Sequence, residues 1–322
     1  MSGRNIDYLR ISITDRCNER CLYCMPEGFS AWKERADILS YEEILRVVRV
    51  AAKLGFRKFR VTGGEPLVRK DVPGFIRRLS EIPGVEAIGL STNGTRLAPV
   101  ARSLRHAGLR TVNISLDALT PSVYRRITGG DVAAVLDGIR AAIDAGFEQI
   151  KLNMVLIRGM NEEEIWPLVH FAAEHHLVLR FIELMPVSLT AVLNEENFLP
   201  AGEVMNRLSK RDTLVPLEKI RLGHGPARYY RMEKTGVTVG FIGAITNLHF
   251  CEACNKIRLT ADGKIRPCLG DHGEHDLKPA FRQINSDAAV TKIFQRALAE
   301  KPLEHLFRNN YQPGRIMTAI GG

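Results

Sequence analysis

The chain carries six cysteines, and all of them fall into two tight groups. The first is Cys17, Cys21 and Cys24, spaced C-x3-C-x2-C. Three thiolates on one short loop can hold three irons of a cubane and leave the fourth open to a cofactor or substrate. A four-cysteine ferredoxin would close that position, and a structural zinc would want a fourth ligand. No histidine or further cysteine stands close by in the sequence. The second group is Cys251, Cys254 and Cys268, spaced C-x2-C-x13-C. Here a zinc ribbon or knuckle competes with a cluster, because His249, His272 or His275 could supply the fourth ligand.

Composition narrows the setting of this chemistry. A chain of 322 residues with 45% hydrophobic content buries a sizeable core, as one large domain with an extension or as two domains. Met1 to Asp7 does not read as a signal peptide, and no apolar run approaches the roughly 20 residues of a membrane span. The expected location is the cytoplasm, with no membrane partner. A reducing compartment disfavours disulfides and favours metal-binding or catalytic roles for clustered cysteines. The formal charge of +9 suits either nucleic acid or a small polyanion such as a nucleoside triphosphate. With no long basic run and only 7% aromatic residues, a zinc-containing nucleic-acid binder ranks last.

The elements that must position these groups show as alternating β-rich runs and helical patterns from residue 9 to about 185. That alternation predicts βα units around a parallel sheet. The strands read are Leu9 to Thr14, Lys58 to Thr62, Ala87 to Thr92, Thr111 to Asp117, Gln149 to Ile157 and Val178 to Leu184. Ser40 with Glu43 predicts a capping box, Asn161 with Glu164 resembles another, and Asp131 is placed to cap the helix that ends near Gly146. Asn113, Ser115 and Asp117 share one strand face, as do Lys151 and Asn153. Polar residues on doubly covered strands are costly unless paired, so these faces predict a wet interior and an open barrel. A helix is expected near Gly202 to Ser209, and β-like segments near Tyr229 to Met232 and Val237 to Ile242.

Cys17-Asn-Glu-Arg-Cys21-Leu-Tyr23-Cys24 resembles the defining motif of the radical-SAM superfamily, and Gly63-Gly64-Glu65-Pro66 resembles its Gly-Gly-Glu-Pro motif. That likeness implies a [4Fe–4S] cluster that binds S-adenosyl-L-methionine and cleaves it to a 5′-deoxyadenosyl radical. The segment from Cys254 to Cys268, together with Leu9-Arg10-Ile-Ser-Ile-Thr-Asp-Arg, Ser91-Thr-Asn-Gly, Asn113-Ile-Ser115-Leu-Asp117, Lys151-Leu-Asn, Arg180-Phe-Ile-Glu-Leu-Met185-Pro and the terminal Gly321-Gly322, is similar to the GTP 3′,8-cyclase family of molybdenum-cofactor biosynthesis.

This resemblance implies a radical-SAM partial (βα)6 TIM-like barrel over residues 1–215, with an α+β extension over residues 216–322 that carries a second [4Fe–4S] cluster. Cys17, Cys21 and Cys24 would hold the first cluster, with Arg10 also in a catalytic role, and Cys251, Cys254 and Cys268 the second. Tyr23, Gly64, Ser115 and Met185 would contact S-adenosylmethionine. Arg10, Arg60, Ser91, Lys151, Arg180, Lys256, Ile257 and Arg258 would contact GTP. Physics supports the cations in that set, since triphosphate oxygens favour Arg forks and Lys point charges. Lys256 and Ser91 stand where the family commonly has Arg and Thr; both keep a donor. The glycine tail would enter the active site. An electron donor and a cyclic pyranopterin monophosphate synthase are the implied partners, and a homodimer is compatible with the likeness. The rival within the superfamily is a peptide-modifying maturase with an auxiliary cluster.

Overall fold

A computed structural model of the chain describes residues 4–190, 192–217, 222, 225–309 and 311–322. Its first half repeats a strand and a helical crossover. The strands are β1 (Tyr8–Ser12), β2 (Lys58–Thr62), β3 (Ala87–Thr92), β4 (Thr111–Ser115), β5 (Gln149–Leu156) and β6 (Val178–Glu183). The helices are α1 (Tyr41–Lys53), α2 (Val72–Ser80), α3 (Ala101–His106), α4 (Pro121–Thr128), α5 (Val132–Asp144) and α6 (Ile165–Glu174). Strands β1 to β6 pair in sequence order, all parallel. Helices cover the outer face, and α1 shows why: Ile44, Leu45, Val47, Val48, Ala51 and Ala52 form one buried stripe. Ser40 and Glu43 close the expected capping box at its start, an arrangement that contributes about 1 kcal/mol.

The second half comprises α7 (Ala201–Ser209), β7 (Leu214–Pro216), β8 (Arg228–Met232), β9 (Thr238–Ile242), β10 (Lys256–Leu259), β11 (Lys264–Arg266), β12 (His275–Asp276), α8 (Lys278–Arg282), α9 (Asp287–Ala299) and α10 (Met317–Ile320). Its strands join the same sheet from both ends. The order is β12-β11-β10-β1-β2-β3-β4-β5-β6-β9-β8-β7, so β10 lies parallel beside β1 and β9 parallel beside β6. The barrel stays open, as the polar strand faces predict, and its two exposed edges are covered rather than left as pairing sites. Helix α9 folds back against α1, with Phe294 edge-on to Phe56 at 5.9 Å and Arg46 on Asp287 at 2.5 Å. Among the described residues no helix is long and apolar enough to cross a membrane.

Two local expectations change. The strand carrying Asn113 ends at Ser115, so Asp117 sits just past it. Asn161 caps nothing with its side chain. Instead its amide donates to the carbonyls of Asp117 and Val155 and its oxygen accepts from Ile157 N–H, while the Glu164 carboxylate accepts from Leu119 and Thr120 N–H. The pair ties the β4 exit to β5, because buried backbone donors there have no other partner.

Candidate active site

The first cysteine loop is held by its backbone. Arg20 and Leu22 N–H donate to the carbonyls of Thr128 and Ile127 at the end of α4, and Cys24 and Met25 N–H both donate to Cys21 C=O. On the other side Gly64 and Glu65 N–H reach the carbonyls of Thr14 and Arg16. The approach is close enough that a Cβ on Gly64 would stand 2.4 Å from Arg16 O, so only glycine fits. Glu65, 1% exposed, spends its carboxylate on Leu67 N–H, Thr92 Oγ1 and Asn93 N–H, fastening the β2 exit to the β3 exit. Burial pushes its pKa up to about 7. Burial also pushes Cys17 and Cys24 up to about 12 and Cys21 well above the ordinary thiol. Iron must therefore displace protons as it binds, and loading is favoured by higher pH.

Cross-strand register assembles the cations. Arg258, Arg10 and Arg60 are direct neighbours on β10, β1 and β2. The next position in that row is Gly89, where a Cβ would lie 2.5 Å from the Arg60 guanidinium. Arg60 donates to Tyr8 Oη, Leu90 C=O and Thr111 Oγ1. Arg180 on β6 donates to Asn153 Oδ1 at 2.8 Å and neighbours Gly240, which leaves room for it and the Tyr229 ring. Lys151 and Ser91 flank Asn113 in a second row.

These residues, with Lys256, line one cavity of about 390 Å³ that also reaches all six cysteines, Tyr23, Gly64, Ser115 and Met185. Among the described residues none of Arg10, Arg60, Lys151, Arg180, Lys256 and Arg258 forms an ion pair with an Asp or Glu side chain, although Arg10 reaches the terminal Gly322. Burial, then repulsion from Arg180 and Arg60, brings Lys151 down to about 6. Arg258 falls to about 9 through burial and the nearby Arg10. Arg10 Nε and Asn113 Oδ1 are buried without a hydrogen-bond partner. Unpaired buried cations are costly, so the cavity is built for a polyanion.

The tail enters this cavity. Gly322 C=O accepts from Arg10 and from Thr62 Oγ1, and Gly321 C=O accepts from Arg258.

The second triplet depends on a hairpin. Arg258 pairs antiparallel with Arg266, so β10 and β11 run out and back and return Cys268 toward Cys254. Arg266, 2% exposed, then anchors the Cys268 loop through Cys268 C=O, Glu274 and Tyr311 Oη. Of the histidines offered as zinc ligands, His249 hydrogen-bonds Glu252, His272 stacks on Tyr311, and His275 Nε2 lies 3.3 Å from Glu300 without a hydrogen bond. Among the described residues no group of three or more His, Cys, Asp or Glu closes on a single ion. A cubane does not ask for that, since each thiolate binds a different iron. All six thiols are free of disulfides and partly exposed toward the cavity, a donor set that fits clusters.

Ile257 is the exception among the expected contacts. It is fully buried in the apolar core, because strand alternation turns it away from the face shared by Lys256 and Arg258. Conversely, Tyr8, Thr62, Glu19, Tyr229 and Lys301 line the cavity without having been singled out in the sequence. Tyr8 had a readable signal, two residues before Arg10 on one strand face; Lys301 follows α9 and had none.

The open parallel barrel, the three-cysteine loop beyond β1 and the glycine turn beyond β2 define a radical-SAM protein, and residues 11–172 match the Radical SAM superfamily. Such proteins use S-adenosylmethionine with a [4Fe–4S] cluster. Residues 177–307 match Molybdenum Cofactor Synthesis C. A GTP 3′,8-cyclase of Moorella thermoacetica is 47% identical over 99% of this chain and 98% of its own length. That of Pelotomaculum thermopropionicum is 45% identical with the same coverage. The chain belongs to the GTP 3′,8-cyclase family. Among solved structures, Streptococcus suis SuiB bound to its precursor peptide SuiA shares the fold, with a TM-score of 0.62 at 16% identity over 95% of this chain and 76% of SuiB.

Proposed function

We propose that the chain converts GTP to 3′,8-cyclo-7,8-dihydro-GTP in molybdenum cofactor biosynthesis. The observation that carries this reading is one cavity lined by both cysteine triplets and by six basic side chains that pair with no Asp or Glu side chain among the described residues. Residues 1–215 form the part that binds S-adenosylmethionine and 216–322 the part that presents GTP. Cys17, Cys21 and Cys24 hold one [4Fe–4S] cluster, and Cys251, Cys254 and Cys268 the second. When bound, the first cluster and S-adenosylmethionine would supply the radical chemistry at the ribose C3′ hydrogen.

The chain's own residues bind and orient. Arg60, Lys151 and Arg180 present donors to the triphosphate from three separate strands, and Arg60 and Arg180 are braced by hydrogen bonds so that little order is lost on binding. Lys256 and Arg258 project from one face of β10 toward the second triplet. Gly64, Tyr23, Ser115 and Met185 line the same cavity and are the residues that would hold S-adenosylmethionine. The tail carbonyls orient Arg10 and Arg258. The first cluster, when bound, would need an electron donor, and a cyclic pyranopterin monophosphate synthase would take the product.

The test is anaerobic reconstitution with iron and sulfide, followed by S-adenosylmethionine, GTP and a strong reductant, with mass spectrometry of the products. 5′-Deoxyadenosine and a cyclised GTP product are expected together, and both should vanish in Cys17→Ala. Deoxyadenosine with unchanged GTP would overturn the substrate. Neither product from iron-replete protein would overturn the mechanism.

A further inference from the structure

Lys301 sits two residues past the end of α9, only 8% exposed, on the wall of the active-site cavity. Its ammonium donates to Lys256 C=O at 3.0 Å and to Pro267 C=O at 2.7 Å. Those carbonyls lie two residues after Cys254 and one before Cys268, so a single side chain joins the two strands of the β10–β11 hairpin where the cysteines depart. No carboxylate among the described residues pairs with it. The next residues continue the brace, because Arg4 donates to the carbonyls of Cys251, Pro302 and Leu303. The segment 301–303 is thereby tied to all three arms of the triplet.

An ammonium has three donors, and backbone carbonyls account for two. Carbonyl dipoles offset part of the cost of burying a cation, and a negative charge within reach stabilises it further. The negative group nearest these carbonyls would be a thiolate-ligated cluster on Cys254 and Cys268, net negative and one unit more so once reduced. Nearby positive charge in a low-dielectric wall favours the reduced form.

We propose that Lys301 is a positioning residue for the second cysteine triplet, clamping its two hairpin arms and serving as the counter-charge that favours reduction of the cluster held there. This rests on the two-cluster reading above. Lys301→Arg keeps charge and donors, Lys301→Gln keeps a donor without charge, and Lys301→Met keeps neither.

The test uses the full chain with Cys17, Cys21 and Cys24 all changed to Ala, so that the second triplet alone is read. Iron content and anaerobic redox titration followed by electron paramagnetic resonance are measured for the parent and each Lys301 variant. Gln and Met are expected to lower the reduced-to-oxidised ratio at fixed potential at least tenfold, about 59 mV for one electron. Arg is expected to stay near the parent. Loss of iron in Gln and Met with retention in Arg would equally support the proposal. Iron retained with an unmoved midpoint in Gln and Met would overturn Lys301 alone, as would equal loss in all three. A parent chain with no iron at the second triplet would overturn the cluster and Lys301 together.

Discussion

Tyr23 Oη donates to Asp117 Oδ2 at 2.7 Å, joining the first cysteine loop to the polypeptide just beyond β4. The other carboxylate oxygen accepts from Val155 N–H at 2.8 Å, so three segments of the barrel mouth meet at one buried side chain. Burial pushes Asp117 up to about 6, and the hydrogen bond from Tyr23 offsets part of that rise. Removing the hydroxyl frees the loop and leaves a buried acceptor unsatisfied, at a cost of about 1–3 kcal/mol. Tyr23→Phe should weaken S-adenosylmethionine binding about tenfold with iron content unchanged, read by anaerobic equilibrium dialysis. Unaltered affinity would show that the loop is held by its backbone alone.

Lys151 makes nucleotide binding depend on pH. Burial and the charges of Arg180 and Arg60 hold it near 6, below the ordinary amine, so in the empty site it is largely neutral at pH 7.5. A bound triphosphate favours its charged form, and binding must take up a proton. Affinity for GTP should therefore fall as pH rises above about 6, by up to about tenfold per unit. Calorimetry in buffers of different ionisation enthalpy reads the uptake directly; Lys151→Met should reduce it to the part that Lys256, brought down to about 7 by burial, still takes up. An uptake unchanged by this substitution would assign the proton elsewhere.

Gly64→Ala tests the close approach behind the first triplet. The added methyl would fall 2.4 Å from Arg16 O and 2.6 Å from Asp15 O, both backbone atoms that cannot swing aside. Residues 15 and 16 lead directly into Cys17, so the variant should fold yet lose about half of the iron in the reconstituted chain. Iron retained at the parent's level would mean that the loop gives way without cost.

Glu183 should matter for stability though it touches no reacting group. It is 1% exposed, and its carboxylate accepts from Ala201 N–H, Ile245 N–H, Thr246 N–H and Thr246 Oγ1. It thereby fastens the loop after β9 and the start of α7 to the end of β6. Glu183→Gln keeps the shape but replaces an acceptor by a donor that faces other donors. A loss of about 2–3 kcal/mol is expected, read from urea unfolding of the apo chain. A change below about 0.5 kcal/mol would show that these loops are held by packing.

Much of the site was legible in local pattern because its parts sit on short loops or on one face of a strand. The Cys17–Cys24 spacing, the glycine turn at Gly63–Gly64, and the polar faces of Asn113 and Lys151 each stand for a requirement that spans a few residues. The capping box at Ser40 is of the same kind. Where more than one local arrangement could satisfy the same donors, as at Asn161 and Glu164, the pattern was ambiguous and the β4–β5 contact decided it. Only the tertiary structure placed β9 and β10 on opposite flanks of the barrel, since strand order is set by non-local hydrogen bonds that leave no periodic trace. That placement sets Arg258 beside Arg10, turns Ile257 into the core, and brings Lys301 to the second triplet. Residue types and spacing determined which chemistry this chain can hold; the register of distant strands decided which charges would stand together.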